Sequence, residues 1–251
     1  MRLSRSLPQA CANTGKRSLF GMLKVRDLAK SFSIESGTRN LFSGLSFDLS
    51  KNDRLAVLGR NGQGKSTLIK ILGGVLSPSQ GTVQWSMRNS WPLGFGGAFQ
   101  GGLTGLDNIR FLARIYNRPI ERTVTLVEDF AQLGKQLYDP VKFYSTGMRA
   151  RLAFGLSLAI EFDCYLIDEV ISVGDMLFQA KCVTELFDIR GDRAFIMASH
   201  DMDLLRRHCN KAIIVERGHA KVIDDLDLAI DIYTSICEEG RYLGPPILSD
   251  E

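Results

Sequence analysis

The run Gly59-Arg60-Asn61-Gly62-Gln63-Gly64-Lys65-Ser66, followed by Thr67, limits what this chain can fold into more than any other stretch. It has the form G-x-x-x-x-G-K-[ST]. An apolar run with β character, Leu55-Ala56-Val57-Leu58, precedes it, and a helix-forming stretch over residues 67–72 follows. Strand, glycine loop and helix in that order cradle phosphate. Glycines let the backbone curl until its N–H groups face phosphate oxygens. The helix that follows points its positive end at the same anion. Lys65 supplies a point charge to the outer phosphates, and the Ser66 hydroxyl is a candidate Mg²⁺ ligand. A chance glycine turn would not bring the Lys-Ser pair and both flanking elements with it.

The rest of the chain supports an α/β core. Short apolar runs at 23–25, 54–58, 82–85, 164–167, 194–197 and 212–215 read as strands, several of them buried on both faces. Between about 103 and 162 the period becomes helical. Leu106, Ile109, Leu112, Ala113 and Tyr116 follow one such spacing. Val124, Val127, Phe130 and Leu133 repeat it after Pro119, which suits a helix start. A mostly helical insert therefore interrupts the α/β pattern.

Asp163-Cys164-Tyr165-Leu166-Ile167-Asp168-Glu169 is an apolar strand ending in two carboxylates. The end of a core strand beside a phosphate loop is where a Mg²⁺-holding Asp belongs, which assigns Asp168 to Mg²⁺, directly or through water. Glu169 can polarise the attacking water as general base. Without the phosphate loop the pair would read equally well as a solvated turn. Ala198-Ser199-His200-Asp201 follows a second apolar strand. A His there can contact the γ-phosphate and orient Glu169 and the water, although in isolation it would be a hydrogen-bonded structural residue. His208 and His219 have no such context and read as structural or surface residues. The three His offer no metal-ligand spacing.

Phosphate loops occur in kinases, GTPases, helicases and transporters. The stretch that narrows the class is Tyr144-Ser145-Thr146-Gly147-Met148-Arg149-Ala150-Arg151, which leads into an apolar helix over 152–159. Ser-Thr-Gly at a helix start is a second anion-binding arrangement; alone it would be an ordinary cap. Phosphate loop, helical insert, S-x-G signature, apolar-Asp-Glu and strand-end His, in that order, resemble the ATPase subunit of ATP-binding cassette (ABC) transporters over about residues 22–225. The resemblance implies a phosphate-loop NTPase (RecA-like) core with an antiparallel β subdomain and a helical subdomain inserted at about 103–162. It implies ATP and Mg²⁺ as cofactors and a head-to-tail homodimer with two ATP molecules at the interface.

Carried over by residue, the resemblance makes Ser145, Thr146, Gly147 and Met148 the signature that closes on ATP held by the partner. Gly59, Arg60, Asn61, Gly62, Gln63, Gly64, Lys65, Ser66 and Thr67 then bind ATP. Phe32 matches the aromatic that stacks on adenine, where a core Phe is the plainer alternative. Ser172 and Asp175 match the loop that couples the two sites. Three features depart from the family. Its L-S-G-G-Q signature is here Tyr-Ser-Thr-Gly-Met, and the coupling loop lacks the usual Pro-Thr and Ala-Leu. For the glutamine loop only Gln100 can stand in. It lies closer to Leu103-Thr104 than the usual spacing, which weakens its case as a Mg²⁺ ligand.

The stretches around Trp91–Gly105, the signature and the coupling loop resemble the branch that exports capsular polysaccharide, related to exporters of O-antigen and teichoic acid. The short tail after 225 leaves no room for the carbohydrate-binding domain of some O-antigen exporters and favours the capsule type. The implied protein is an ATPase peripheral to the cytoplasmic face of the bacterial inner membrane, bound to separate integral membrane permease subunits. Export of O-antigen, teichoic acid or another cargo is the alternative within the family; outside it, two other readings are a soluble cassette ATPase of translation or DNA repair and a small-molecule kinase. The first is disfavoured by the single phosphate loop, the second by the signature and Glu169.

Composition adds exclusions. No stretch reaches 18 apolar residues, so no membrane span is expected. Five scattered cysteines without a C-x-x-C pair suit a reduced compartment. The net charge of +3 is too small for a nucleic-acid footprint. It is also localised: residues 1–21 hold Arg2, Arg5, Lys16 and Arg17 and no acid, and the remainder is almost neutral. The expected organisation is a basic leader at 1–21, an ATPase domain at 22–225 and a short C-terminal helix and tail at 226–251.

Overall fold

The computed structural model describes residues 22–35, 37–93, 99–168 and 175–238. The basic leader and the end of the tail lie outside that set. So do Glu169 and Ser172.

Two sheets carry the fold. The smaller is antiparallel, with β2 (Gly37–Ser50), β1 (Met22–Ile34) and β4 (Gln80–Trp85) in that order. Its pairing sets Leu23 opposite Leu49, Val25 opposite Phe47 and Phe32 opposite Arg39. Alternate apolar residues such as Leu45, Phe47 and Leu49 turn to the buried face, as the period of a pleated strand requires. The larger sheet runs β5 (Asn89–Leu93), β6 (Cys164–Asp168), β7 (Ala194–Ala198), β3 (Arg54–Leu58), β8 (Lys211–Glu216) and β9 (His219–Ile223). It is parallel from β5 to β8, and β9 returns antiparallel.

The central strands are covered on both sides, which explains their uninterrupted apolar runs. Along β3, Leu55 and Val57 face one core, and Ala56 and Leu58 face the other. The first core joins the two sheets through α1 (Lys65–Leu72), whose Leu68, Ile69, Ile71 and Leu72 are buried there. The second core lies beneath the remaining helices. The expected run at 82–85 belongs to the antiparallel sheet and is half-exposed along its length.

The helical middle contains α2 (Gly105–Ile115), α3 (Ile120–Ala131) and α4 (Thr146–Ile160). Thr104 caps α2 by accepting from the Asp107 N–H at 3.0 Å. Pro119 stands immediately before α3 with φ −59°. Leu133, expected within that helix, falls beyond it because Gln132 turns left-handed at φ 52° and stops the helix. α4 is buried on nearly all sides from Ala150 onward. Phe154 of α4 stacks on Phe130 of α3 at 5.4 Å, and Phe178 of α5 (Met176–Val183) meets Phe130 edge-on at 5.3 Å. A π-helical turn over Thr184–Ile189 follows α5, and then come α6 (Met202–His208) and α7 (Leu226–Glu238). Leu226, Ala229, Ile230 and Tyr233 form the buried stripe of α7.

Among the described residues no helix is long and apolar enough to cross a membrane. The four described cysteines are free thiols, with Cys164 and Cys182 buried and Cys237 exposed.

Candidate functional site

In a parallel sheet, ligands bind beyond the carboxyl ends of the strands. The phosphate loop leaves the end of β3, Asp168 ends β6, and His200 follows the end of β7. Since β7 lies between β3 and β6, these three ends are neighbours in the sheet.

The loop's shape follows from its glycines. A Cβ on Gly59 would collide with the carbonyl oxygen of Val215 in β8, so the loop can lie against that strand only with glycine at this position. Gly64 stands at φ +115°, in the region that favours glycine, and begins α1. Lys65 is buried, and its Nζ donates to the Gly59 carbonyl at 2.6 Å and to the Arg60 carbonyl at 3.4 Å. The Ser66 Oγ donates to Asp168 Oδ1 at 2.8 Å. This hydroxyl-carboxylate pair is an oxygen donor set of the kind hard divalent cations take, and it fits Mg²⁺. Asn61 and Gly62 are exposed, while Gln63, Gly64 and Thr67 are half-buried.

Three anchors of the loop carry no motif. Arg39 of β2 donates from Nη2 to the Gly62 carbonyl at 2.9 Å. Arg60 is ion-paired with Glu216 at the end of β8, its Nε lying 3.0 Å from Oε1. The Arg217 N–H donates to Gln63 Oε1 at 3.0 Å. None could be found from local sequence. The only signal is that the apolar strand over 212–215 ends in a charged residue that the structure buries. The partner of Arg39 across the β1–β2 ladder is Phe32. Phe32 is 39% exposed and carries the Lys30 Nζ 4.7 Å from its ring centroid, so it is a surface aromatic near the loop, not a core residue.

The signature opens α4. Ser145 is its cap, accepting from the Met148 N–H at 3.2 Å, and both Ser145 and Thr146 are exposed. A side chain on Gly147 would meet only Ser145 Oγ, at 3.9 Å. Gly147 is half-buried, and among the described residues the space a side chain would take there is open, as an anion at this helix start requires. Met148, where the family has Gln, packs against the core instead. Tyr144 anchors the turn by donating to the Gln136 carbonyl at 2.6 Å. Asp175 caps α5 by accepting from the Phe178 N–H at 2.9 Å, and it is ion-paired with Arg151 of α4. That N–H and the Arg151 charge hold its carboxyl below the usual range. Asp175 thus ties the start of α5 to α4.

Gln100 is exposed, and its backbone is bonded to the Asn108 side chain at the start of α2. His208 is stacked on Phe187 at 4.1 Å and His219 is exposed. A cavity of about 370 Å³ lined by Arg54, Gly191, His208 and Asn210 lies at the amino ends of the strands, the opposite edge from the phosphate loop. Among the described residues no group of three or more His, Cys, Asp or Glu forms a metal cluster.

A phosphate loop bonded through its serine to the aspartate that ends a parallel strand, in a chain whose helical insert ends in an exposed Ser-Thr-Gly helix start, is the plan of an ATP-binding cassette. The chain belongs to the ABC transporter family, whose model matches residues 42–172. It is 48% identical to the capsule polysaccharide export ATP-binding protein CtrD of Neisseria meningitidis serogroup B, over 86% of this chain and 100% of that protein. It is 47% identical to the ATP-binding protein BexA of Haemophilus influenzae, over 84% of this chain and 98% of that one. Among solved structures it superposes on a dimeric ATP-binding cassette in a post-hydrolysis state with ADP and Pi. The TM-score is 0.65 at 16% identity, covering 79% of this chain and 97% of that one, a likeness of fold. The α/β cassette expected from the motifs is the architecture found.

Proposed function

We propose that this chain is the ATP-hydrolysing subunit of an exporter that moves capsular, lipid-linked polysaccharide across the bacterial inner membrane. The observation that carries the ATPase is the Ser66–Asp168 bond next to the buried Lys65. The likeness to the capsule exporter protein CtrD supports the cargo. The subunit works as a homodimer on the cytoplasmic face, attached to separate permease subunits.

The backbone N–H groups from Gly59 to Thr67 bind the ATP phosphates, and Phe32 stacks on adenine. Lys65 exchanges its carbonyl partners for outer phosphate oxygens. Ser66 and Asp168 would hold Mg²⁺, which when bound neutralises charge on the transferring phosphoryl group. Glu169 takes the proton from the attacking water, and His200 orients both. The exposed start of α4, with Ser145, Thr146, Gly147 and Met148, closes on the γ-phosphate held by the partner. Asp175, paired with Arg151, relays closure between the sites, with Ser172 on the same segment.

The test is Glu169→Gln. Turnover should be abolished while ATP still drives dimerisation, and retained hydrolysis would rule out Glu169 as the base.

A further inference from the structure

The end of β8 touches the phosphate loop through three consecutive residues. The Val215 carbonyl fills the space a Gly59 side chain would need. Glu216 holds Arg60, and the Arg217 N–H holds Gln63. Glu216 is only 5% exposed, whereas the Arg60 side chain is 37% exposed. One carboxylate oxygen, Oε1, accepts from Arg60; the other, Oε2, is buried without a hydrogen-bond partner among the described residues. A charge kept there is costly unless its partner stays in place. Tyr233 of α7 is buried close enough to feel both charges.

We infer that Glu216 is a positioning residue for nucleotide: through Arg60 it fixes the part of the loop whose carbonyls hold Lys65. The connection is short. Fixing the Arg60 side chain restrains its backbone, and the carbonyls of Gly59 and Arg60 are the oxygens to which Lys65 Nζ donates. Removing the carboxylate frees Arg60 to swing, and the loop loses the geometry that aims its N–H groups and Lys65 at phosphate. The effect falls on binding, because Glu216 is buried with Oε1 engaged by Arg60 and therefore acts through the loop. The inference rests on the proposal that residues 59–67 hold nucleotide.

The experiment uses the full chain with Glu216→Ala, Glu216→Gln, Arg60→Ala and the double variant Arg60→Ala/Glu216→Ala. It measures the Kd for trinitrophenyl-ATP together with KM and kcat for ATP. Glu216→Ala should raise Kd and KM on the order of tenfold, the worth of one charge-assisted hydrogen bond, with kcat nearly unchanged. Glu216→Gln keeps the acceptor without the charge and should fall between it and the parent. The double variant should be no weaker than Arg60→Ala alone, since both changes break one pair. If Glu216→Ala fails to fold, Glu216→Gln and Arg60→Ala carry the comparison. The inference is overturned by an unchanged Kd in both Glu216 variants, or by losses that multiply in the double variant. A lower melting temperature and kcat with unaltered Kd would equally overturn it. A parent chain that binds the analogue without hydrolysing ATP would instead overturn the proposed function, and the Kd comparison would still decide the role of Glu216.

Discussion

The Ser66 hydroxyl donates to the Asp168 carboxylate across 2.8 Å, joining residues 102 positions apart in the chain. The bond ties the start of α1 to the end of β6, and α1 is the helix reached from β3, two strands away from β6 in the sheet. Asp168→Asn keeps an oxygen acceptor for Ser66 and removes the charge. Phosphate release should drop by roughly 10²-fold or more, as when a preorganised charge-stabilising group is lost. Nucleotide binding without divalent metal should be unchanged. Steady-state phosphate release across a Mg²⁺ titration, with an EDTA control, checks both.

Gly147 separates folding from function. Its Cβ would meet nothing closer than 3.9 Å, and it stands within α4, where Ala is favoured over Gly by up to about 1 kcal/mol. Gly147→Ala should therefore melt no lower than the parent and bind ATP as a monomer with the same Kd. Hydrolysis should fall by about tenfold or more if this surface closes on a partner's γ-phosphate. Calorimetry and turnover, measured on one preparation, test the separation.

Gly59→Ala should behave in the opposite way. Its new methyl has the Val215 carbonyl in its path, so the loop must leave β8 or the strand must shift. Both the melting temperature and ATP binding should decline. Equilibrium dialysis against ATP gives the second, and normal affinity would show that the loop can move aside without consequence.

Asp175 contributes through its charged form. Its carboxyl pKa is lowered in the folded state by the Phe178 N–H and by Arg151, so the stabilisation is present above the unfolded carboxylate pKa. It is lost as pH falls through the lower folded value. The melting-temperature gap between the parent and Asp175→Ala should be steady from about pH 8 to 5 and shrink below about pH 4, where the unfolded carboxylate titrates. Asp175→Asn can still cap α5 and should lose less than Asp175→Ala at neutral pH. Thermal melts over that pH series decide it.

The aromatic stack joining α3, α4 and α5 is a core element. Phe154→Ala removes the ring that faces Phe130 and should cost about 3–5 kcal/mol in a urea unfolding series. A loss under about 1 kcal/mol would mean that the surrounding helices collapse into the cavity.

The parts readable in advance were those whose chemistry is local in the chain. The phosphate loop, the apolar strand ending at Asp168 and the capped helix start at Ser145 each occupy one short segment with a recognisable residue order. β5 was not readable, because Pro92 lies within it and proline argues against a strand. The strand is at the sheet edge and pairs on one side only, which accommodates it. β9 lacks a full apolar pattern because its residues are half-buried or exposed. The anchors Arg39 and Glu216 were invisible for another reason. Each reaches the loop from a distant strand, and nothing near either residue marks the pairing. Asp175 was placed by resemblance in a coupling segment, and only the folded chain shows that it caps α5 and pairs with Arg151.

The two carbonyls that hold the Lys65 ammonium have a consequence for salt. Nucleotide arrival at this loop is a substitution, phosphate oxygens displacing the two carbonyl oxygens around the Lys65 ammonium. Binding free energy is then a difference between two coordinated states. Because both carbonyls are neutral, the ammonium keeps its charge through the exchange, so added salt should still weaken ATP binding while the net gain at Lys65 is smaller than for an ammonium without those partners.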